Sequence, residues 1–177
     1  MRIFYEVDIQ NDFMNKNGAL YVPGAELIKP NIKILTNYAR EKNIPVWGSV
    51  DSHVENDPEF ETFPRHCVQG EKGQEKIIPA YDEDMIFEKA HYDVFTNPGA
   101  EKKLREYGVE EAVVYGVATD ICVKAAVLGM QERGIQTYVV EDAIKGVFED
   151  KTKEALEEML TAGAKFTTTK EILENKL

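Results

Sequence analysis

The chain has 177 residues, 43% of them hydrophobic and 30% charged, with a formal net charge of −11 and two cysteines. That length and composition suit one globular domain over 1–177, with a core that needs no staples. The acids are dispersed without a Lys/Arg-rich run, which excludes a nucleic-acid surface, and no apolar run reaches the ~18 residues of a membrane span. An acid at Glu6 argues against a signal peptide, and two cysteines without a disulfide framework point to a reducing, cytoplasmic compartment.

In chain order, six short runs rich in Val, Ile, Phe and Tyr read as strands: Arg2–Val7, Ile44–Val50, Met85–Glu88, Ala112–Val117, Gln136–Val140 and Ala164–Thr168. Their continuous apolar character is that of strands buried on both faces. Between most of them lie helical patterns. Ala25–Glu41 places Leu27, Ile28, Ile32, Leu35 and Ala39 near helical spacing. Asn97-Pro98 opens a second helix with an N-cap and a first-turn proline, and it runs to Tyr107-Gly108. Thr119–Arg133 stops at Gly134, Asp150–Thr161 stops at Gly163, and a short helix follows Thr169. This alternation predicts an α/β fold, a parallel sheet with helices on both faces. Only Ser52–Pro79 breaks the pattern, and a connection that long is functional or disordered.

Ligands of an open α/β sheet bind beyond the carboxyl ends of its strands. At those ends the chain places Asp8, then Asp51 with His53 two residues on, then Lys89. The fourth strand leads through A-T-D-I to Cys122. A cysteine under a helix is ordinarily core filler. An acid, an amine and a thiol at one edge suggest acyl transfer instead. Lys89 and the first turn of a helix both favour a thiolate at Cys122, and Asp8 can take the thiol proton and return it to a departing amine. In extended backbone Asp51 and His53 share a side, so they could hold one ion with His66 from the long loop, as three protein ligands do in catalytic metal sites. Spacing alone also allows these three to be solvated loop residues. Cys67 and Trp47 read as packing. His91 lines the pocket or is a satisfied, partly buried histidine. Asp12 and Asp120 shape loops, and Asp142 sits near the same edge.

The runs D-I-Q-N-D-F (8–13), F-E-K (87–89) and G-V-A-T-D-I-C-V (116–123) resemble, in order and spacing, the cysteine hydrolases of the isochorismatase-like superfamily. The resemblance spans nearly the whole chain. It implies a three-layer αβα fold with a six-stranded parallel sheet and a catalytic triad of Asp8, Lys89 and Cys122. It also implies a cis peptide between Val117 and Ala118, with the backbone N–H groups of Ala118 and Cys122 as oxyanion hole. The stretch F-P-R-H-C-V-Q-G-E-K-G-Q-E (63–75) is similar to the W-P-x-H-C-V-x-G-T-x-G-A-E of nicotinamidases. That likeness implies a divalent metal on Asp51, His53 and His66, with zinc first and iron or manganese as alternatives. It places Phe13 and Phe63 around the pyridine of the substrate. Three positions depart from it: Glu59 stands where some nicotinamidases have a further histidine, Phe63 where a tryptophan is usual, and Glu71 where a threonine is usual.

The expected function is hydrolysis of a small nicotinamide-like carboxamide to acid and ammonia through a thioester on Cys122. The partner is then a small-molecule amide, with no nucleic acid and no membrane, and with homo-oligomerisation left open. A metal-free hydrolase of the same superfamily, acting on another amide, carbamoyl or ureido compound, is the second reading. A non-catalytic small-molecule-binding α/β module is the third. No phosphate-cradling glycine motif supports nucleotide binding.

Overall fold

The computed structural model describes residues 1–80 and 82–176. Among them, six strands form one parallel sheet: β1 (Arg2–Val7), β2 (Val46–Asp51), β3 (Ile86–Lys89), β4 (Glu111–Val117), β5 (Gln136–Lys145) and β6 (Lys165–Thr167). Their order across the sheet is β3-β2-β1-β4-β5-β6, so the chain winds outward in both directions from the β1–β4 pair. The two-residue period of a strand divides β1 between two cores. Ile3, Tyr5 and Val7 face one, with Trp47, and Phe4 faces the other. Helices α3 (Pro98–Glu106), α4 (Lys124–Glu132) and α5 (Glu149–Thr161) bring Leu104, Val127 and Met159 to the first core. The second is covered by α2 (Lys29–Glu41) and α6 (Thr169–Leu173), through Ile32, Leu35 and Ile172. This is the three-layer αβα arrangement. A four-residue helix, α1 (Asn11–Met14), follows β1. No helix among the described residues is long and apolar enough to cross a membrane.

Three elements differ from the sequence reading, each for a local reason. The helix expected over Ala25–Glu41 is split: a 3₁₀ turn covers Ala25–Leu27, and α2 starts at Lys29 with Pro30 in its first turn. Proline suits a first turn, so α2 begins there, and Leu27 in the separate turn before it is 74% exposed. The fifth strand runs on from Val140 to Lys145. Its pairing jumps from Val114↔Val139 to Gly116↔Ile144, so a bulge carrying the polar Glu141 and Asp142 hides the continuation from an apolar-run search. The helix expected from Thr119 begins as a π turn over Thr119–Val123, with Val123 N–H bonded to Ala118 C=O at 3.0 Å.

The long 52–79 connection is pinned to the sheet by a charge. Glu6 projects into the second core, where its carboxylate accepts from Lys76 Nζ at 2.7 Å and from the Thr36 hydroxyl at 2.5 Å. Both side chains of the ion pair are almost fully buried. A buried pair stabilises little over an apolar replacement, but breaking it strands a charge. Lys76→Met should therefore cost about 3 kcal/mol in urea unfolding. Adding Glu6→Gln should recover part of that loss.

Candidate active site

Asp8 follows β1 directly and adopts φ +48°, a left-handed turn that aspartate tolerates better than most residues. Its carboxylate accepts from the Ser49 hydroxyl at 2.7 Å and meets Lys89 Nζ at 2.8 Å. The β2–β3 register sets Asp51 opposite Lys89, and the Lys89 ammonium donates to Asp51 Oδ1. The same ammonium lies 3.6 Å from Cys122 Sγ. All four side chains are buried. Three strand ends and one turn thus bring together the acid, amine and thiol expected from the sequence.

Burial sets the protonation of the cluster. It lifts the Asp8 carboxyl above its ordinary range, although Lys89 pulls the other way. It also pushes the Cys122 thiol well up, against Lys89 and with Asp8. Burial disfavours the charged form of Lys89, but Asp8, Cys122 and Asp51 outweigh it and hold the ammonium well above its usual pKa. Burial would raise Asp51 as well, yet Lys89 and His53 keep it below the usual carboxylate range. The resting cluster is therefore a thiol beside an ammonium and a carboxylate already poised to accept a proton.

The other carboxylate oxygen of Asp51 faces the histidines. Oδ2 lies 3.9 Å from His53 Nε2 and 3.8 Å from His66 Nε2. His66 Nδ1 is 2.7 Å from the Pro64 carbonyl, which assigns its proton to Nδ1 and leaves the Nε2 lone pair directed inward. His53 Nδ1 lies 3.1 Å from Asp57 Oδ2, and both ring nitrogens of His53 are buried without a hydrogen bond of good geometry among the described residues. One ligand atom from each of Asp51, His53 and His66 falls within 4.8 Å of the others. Two imidazole nitrogens and a carboxylate oxygen, with the Pro64 carbonyl behind His66 and the Asp57 carboxylate near the far side of His53, suit a divalent transition ion, and an orphaned buried nitrogen has little other use.

Cys122 and His66 border a cavity of about 210 Å³, and Phe13, Phe63, Tyr92, Ile121 and Phe148 are among the residues of its wall. Glu59 also lines it, its carboxyl raised by burial and pulled down in part by His53. Phe60, which the sequence reading passed over, packs its ring 5.5 Å from that of His53 and 5.7 Å from that of His66. His91 is exposed and outside the cavity wall. Cys67 is wholly buried in the loop, with its N–H bonded to Asp12 at 2.8 Å. Asp12 and Asp120 do hold loops: Asp12 also takes the Ala19 N–H, and Asp120 takes those of Val147 and Phe148. Asp142 caps α6 through the N–H and hydroxyl of Thr169. The peptide between Val117 and Ala118 is cis. Gln10, Ser49 and Asp57 were also missed. Asp57 had a signal, its i,i+4 spacing from His53.

A six-stranded parallel sheet between two helical layers, with an acid–lysine–thiol cluster beyond the strand ends, is a three-layer αβα fold carrying the groups of a cysteine hydrolase. The Isochorismatase domain model matches residues 5–171, and the chain belongs to that family. It is 30% identical to the nicotinamidase/pyrazinamidase of Mycobacterium tuberculosis over 92% of this chain and 96% of that protein. Among solved structures, the pyrazinamidase of Pyrococcus horikoshii in complex with zinc superposes with a TM-score of 0.89 at 33% identity, over 94% of this chain and 98% of the other. N-carbamoylsarcosine amidase from Thermoplasma acidophilum gives a TM-score of 0.83 at 27% identity, over 95% and 96% of the two chains.

The two cysteines differ in access: Cys122 borders the cavity, whereas Cys67 is sealed in the loop. Iodoacetamide at near-neutral pH should label Cys122 first, and Cys67 only on unfolding, as read by peptide mass spectrometry. Labelling of Cys67 alone would contradict the geometry.

Proposed function

We propose that the chain, as one domain over 1–177 working in the reducing cytoplasm, is a cysteine amidohydrolase of the nicotinamidase type. It releases ammonia from a small aromatic carboxamide. The observation that carries this reading is the single ammonium of Lys89 in contact with Asp8, Asp51 and Cys122. A binding module has no need of a buried thiol between an ammonium and a carboxylate.

The chemistry follows from the groups present. As the amide carbonyl reaches Cys122, Asp8 takes the thiol proton and Sγ attacks the carbon. The backbone N–H groups of Ala118 and Cys122 receive the developing oxyanion. Asp8 then gives its proton to the amide nitrogen, ammonia leaves, and a thioester remains on Cys122. Water, deprotonated by Asp8, attacks the thioester, and the acid departs as the thiol regains a proton. Lys89 stays charged throughout and stabilises the thiolate and the carboxylates around it.

Asp51, His53 and His66 would hold a divalent ion, with zinc ahead of iron or manganese given two imidazoles. When bound, it supplies a Lewis-acid site for a ring nitrogen, which orients the substrate. Phe13 and Phe63 hold the ring from the cavity wall, and Phe13 packs 5.6 Å from the His66 ring. Orientation of this kind can be worth several kcal/mol.

Purified protein should release ammonia from nicotinamide. Cys122→Ala should fall to background, and Asp8→Asn should lose about 10²–10⁴-fold in turnover while staying folded. Excess EDTA, or His53→Ala, should remove the metal seen by elemental analysis and weaken nicotinamide turnover, yet leave iodoacetamide labelling of Cys122 in place. Metal-free protein that hydrolyses amides unchanged in EDTA would end the nicotinamidase reading and favour a metal-free amidase.

A further inference from the structure

The cavity bordered by Cys122 and His66 reaches the surface past two exposed aromatic residues, Tyr92 and Phe148. Phe148 lines the cavity yet is 64% exposed, so its ring stands at the mouth rather than in a core. A lone exposed phenylalanine is ordinary on a surface. This one has its main chain fixed on both sides. Its N–H donates to Asp120 Oδ2 at 3.1 Å, and its carbonyl accepts from Thr152 N–H at 2.8 Å, in the first turn of α5. The preceding N–H, of Val147, donates to Asp120 Oδ1 at 2.9 Å. Asp120 is buried and stands two positions before Cys122 in the same π turn. Gly146 provides the clearance, because a Cβ there would run into Thr152 Oγ1 and press on Asp120 Oδ1. One carboxylate therefore ties the turn that carries the thiol to the segment that carries the exposed ring.

We propose that Phe148, fixed at the cavity mouth by the carboxylate of Asp120, selects substrates that carry a flat ring. The inference rests on the amidohydrolase reading and adds a specificity residue to it. With its backbone held, the ring has only two side-chain torsions left to fix, so it offers an apolar face at small entropic cost to the complex. A flat substrate entering between Phe148 and the opposite wall covers that face, whereas a short aliphatic amide leaves it in water. Asp120 is a positioning residue here: it touches neither substrate nor reacting atoms, and it acts through the 147–148 backbone.

The test compares nicotinamide with propionamide in wild type, Phe148→Ala, Phe148→Tyr and Asp120→Asn, with calorimetric binding of nicotinamide to the same variants on a Cys122→Ala background. Phe148→Ala should lower the ratio of kcat/KM for nicotinamide over propionamide about ten-fold, the worth of one good aromatic contact, with the loss in KM. Phe148→Tyr should restore the ratio. Asp120→Asn keeps one acceptor oxygen and should fall between, again through KM. Because the side chain of Phe148 is exposed, its truncation leaves folding intact. A ratio unmoved by Phe148→Ala in an active enzyme overturns the inference and leaves the amidase reading standing. Nicotinamide that binds without turnover in the Cys122-bearing protein, and loses affinity in Phe148→Ala, supports the inference and overturns the amidase reading. Absence of both binding and turnover overturns both.

Discussion

The buried ammonium of Lys89 is the charge on which the site depends. It is the cation that faces two buried carboxylates and a thiol, and the carboxylates would be costly to bury without it. Asp8, Asp51 and Lys89 stand at the ends of neighbouring strands, so the pairing of β1, β2 and β3 decides whether they meet. Asp51 and Lys89 are direct partners in the β2–β3 register, and Val7 is paired with Ser49, whose hydroxyl holds Asp8. A slip of one residue would turn each side chain to the opposite face. Ile3, Tyr5 and Val7 are packed in one core and Phe4 in the other, so a slip would also have to repack both, and the register that builds the cores also builds the site.

Asp51 gives the site a second constraint. One oxygen receives the Lys89 ammonium, and the other faces both histidines. The acid–lysine–thiol cluster and the candidate metal site are therefore not separable modules. The backbone of Asp51 is held too: Gln10 accepts its N–H and donates to its carbonyl, each at 2.8 Å. A side-chain amide thus takes the place that a neighbouring strand would fill. The carboxylate between the two halves of the site is fixed at both its backbone and its side chain.

The parts legible in the sequence were those governed by local pattern. Strands buried on both faces are continuous apolar runs, and five of the six ended within two residues of their observed ends. The exception was β5, where polar Glu141 and Asp142 mask a bulge. Asp8, Asp51, Lys89 and Cys122 could be read because parallel strands put their carboxyl ends at one edge. His66 was different, since nothing in its spacing tells a ligand from a loop histidine, and the family resemblance was what favoured it over the solvated-loop reading. Gln10, Ser49 and Phe60 stayed hidden because their work is done across the fold. Gln10 reaches Asp51 and Gln74 at separations of 41 and 64 residues, a closeness no local pattern encodes.

The same non-local logic explains how a connection as long as 52–79 can carry a site. Such a loop must find partners for its backbone groups. The segment just after β1 supplies them: Ile77 N–H bonds to Ile9 C=O at 2.8 Å, Asn11 N–H to Glu75 C=O at 2.9 Å, and Cys67 N–H to the Asp12 carboxylate at 2.8 Å. Cys67 accepts a left-handed backbone at φ +45° beside His66, a conformation tolerated only where surroundings enforce it. Gly73 packs so close to the Asp12 carboxylate that a Cβ would collide with it. The run from Asp8 to Phe13 therefore serves three ends at once. Its first acid joins the thiol cluster, its glutamine and second acid order the loop that presents His66, and its phenylalanine lines the cavity. The loop is ordered from the segment that begins with Asp8, and that dependence ties the position of His66 to that of the acid–lysine–thiol cluster.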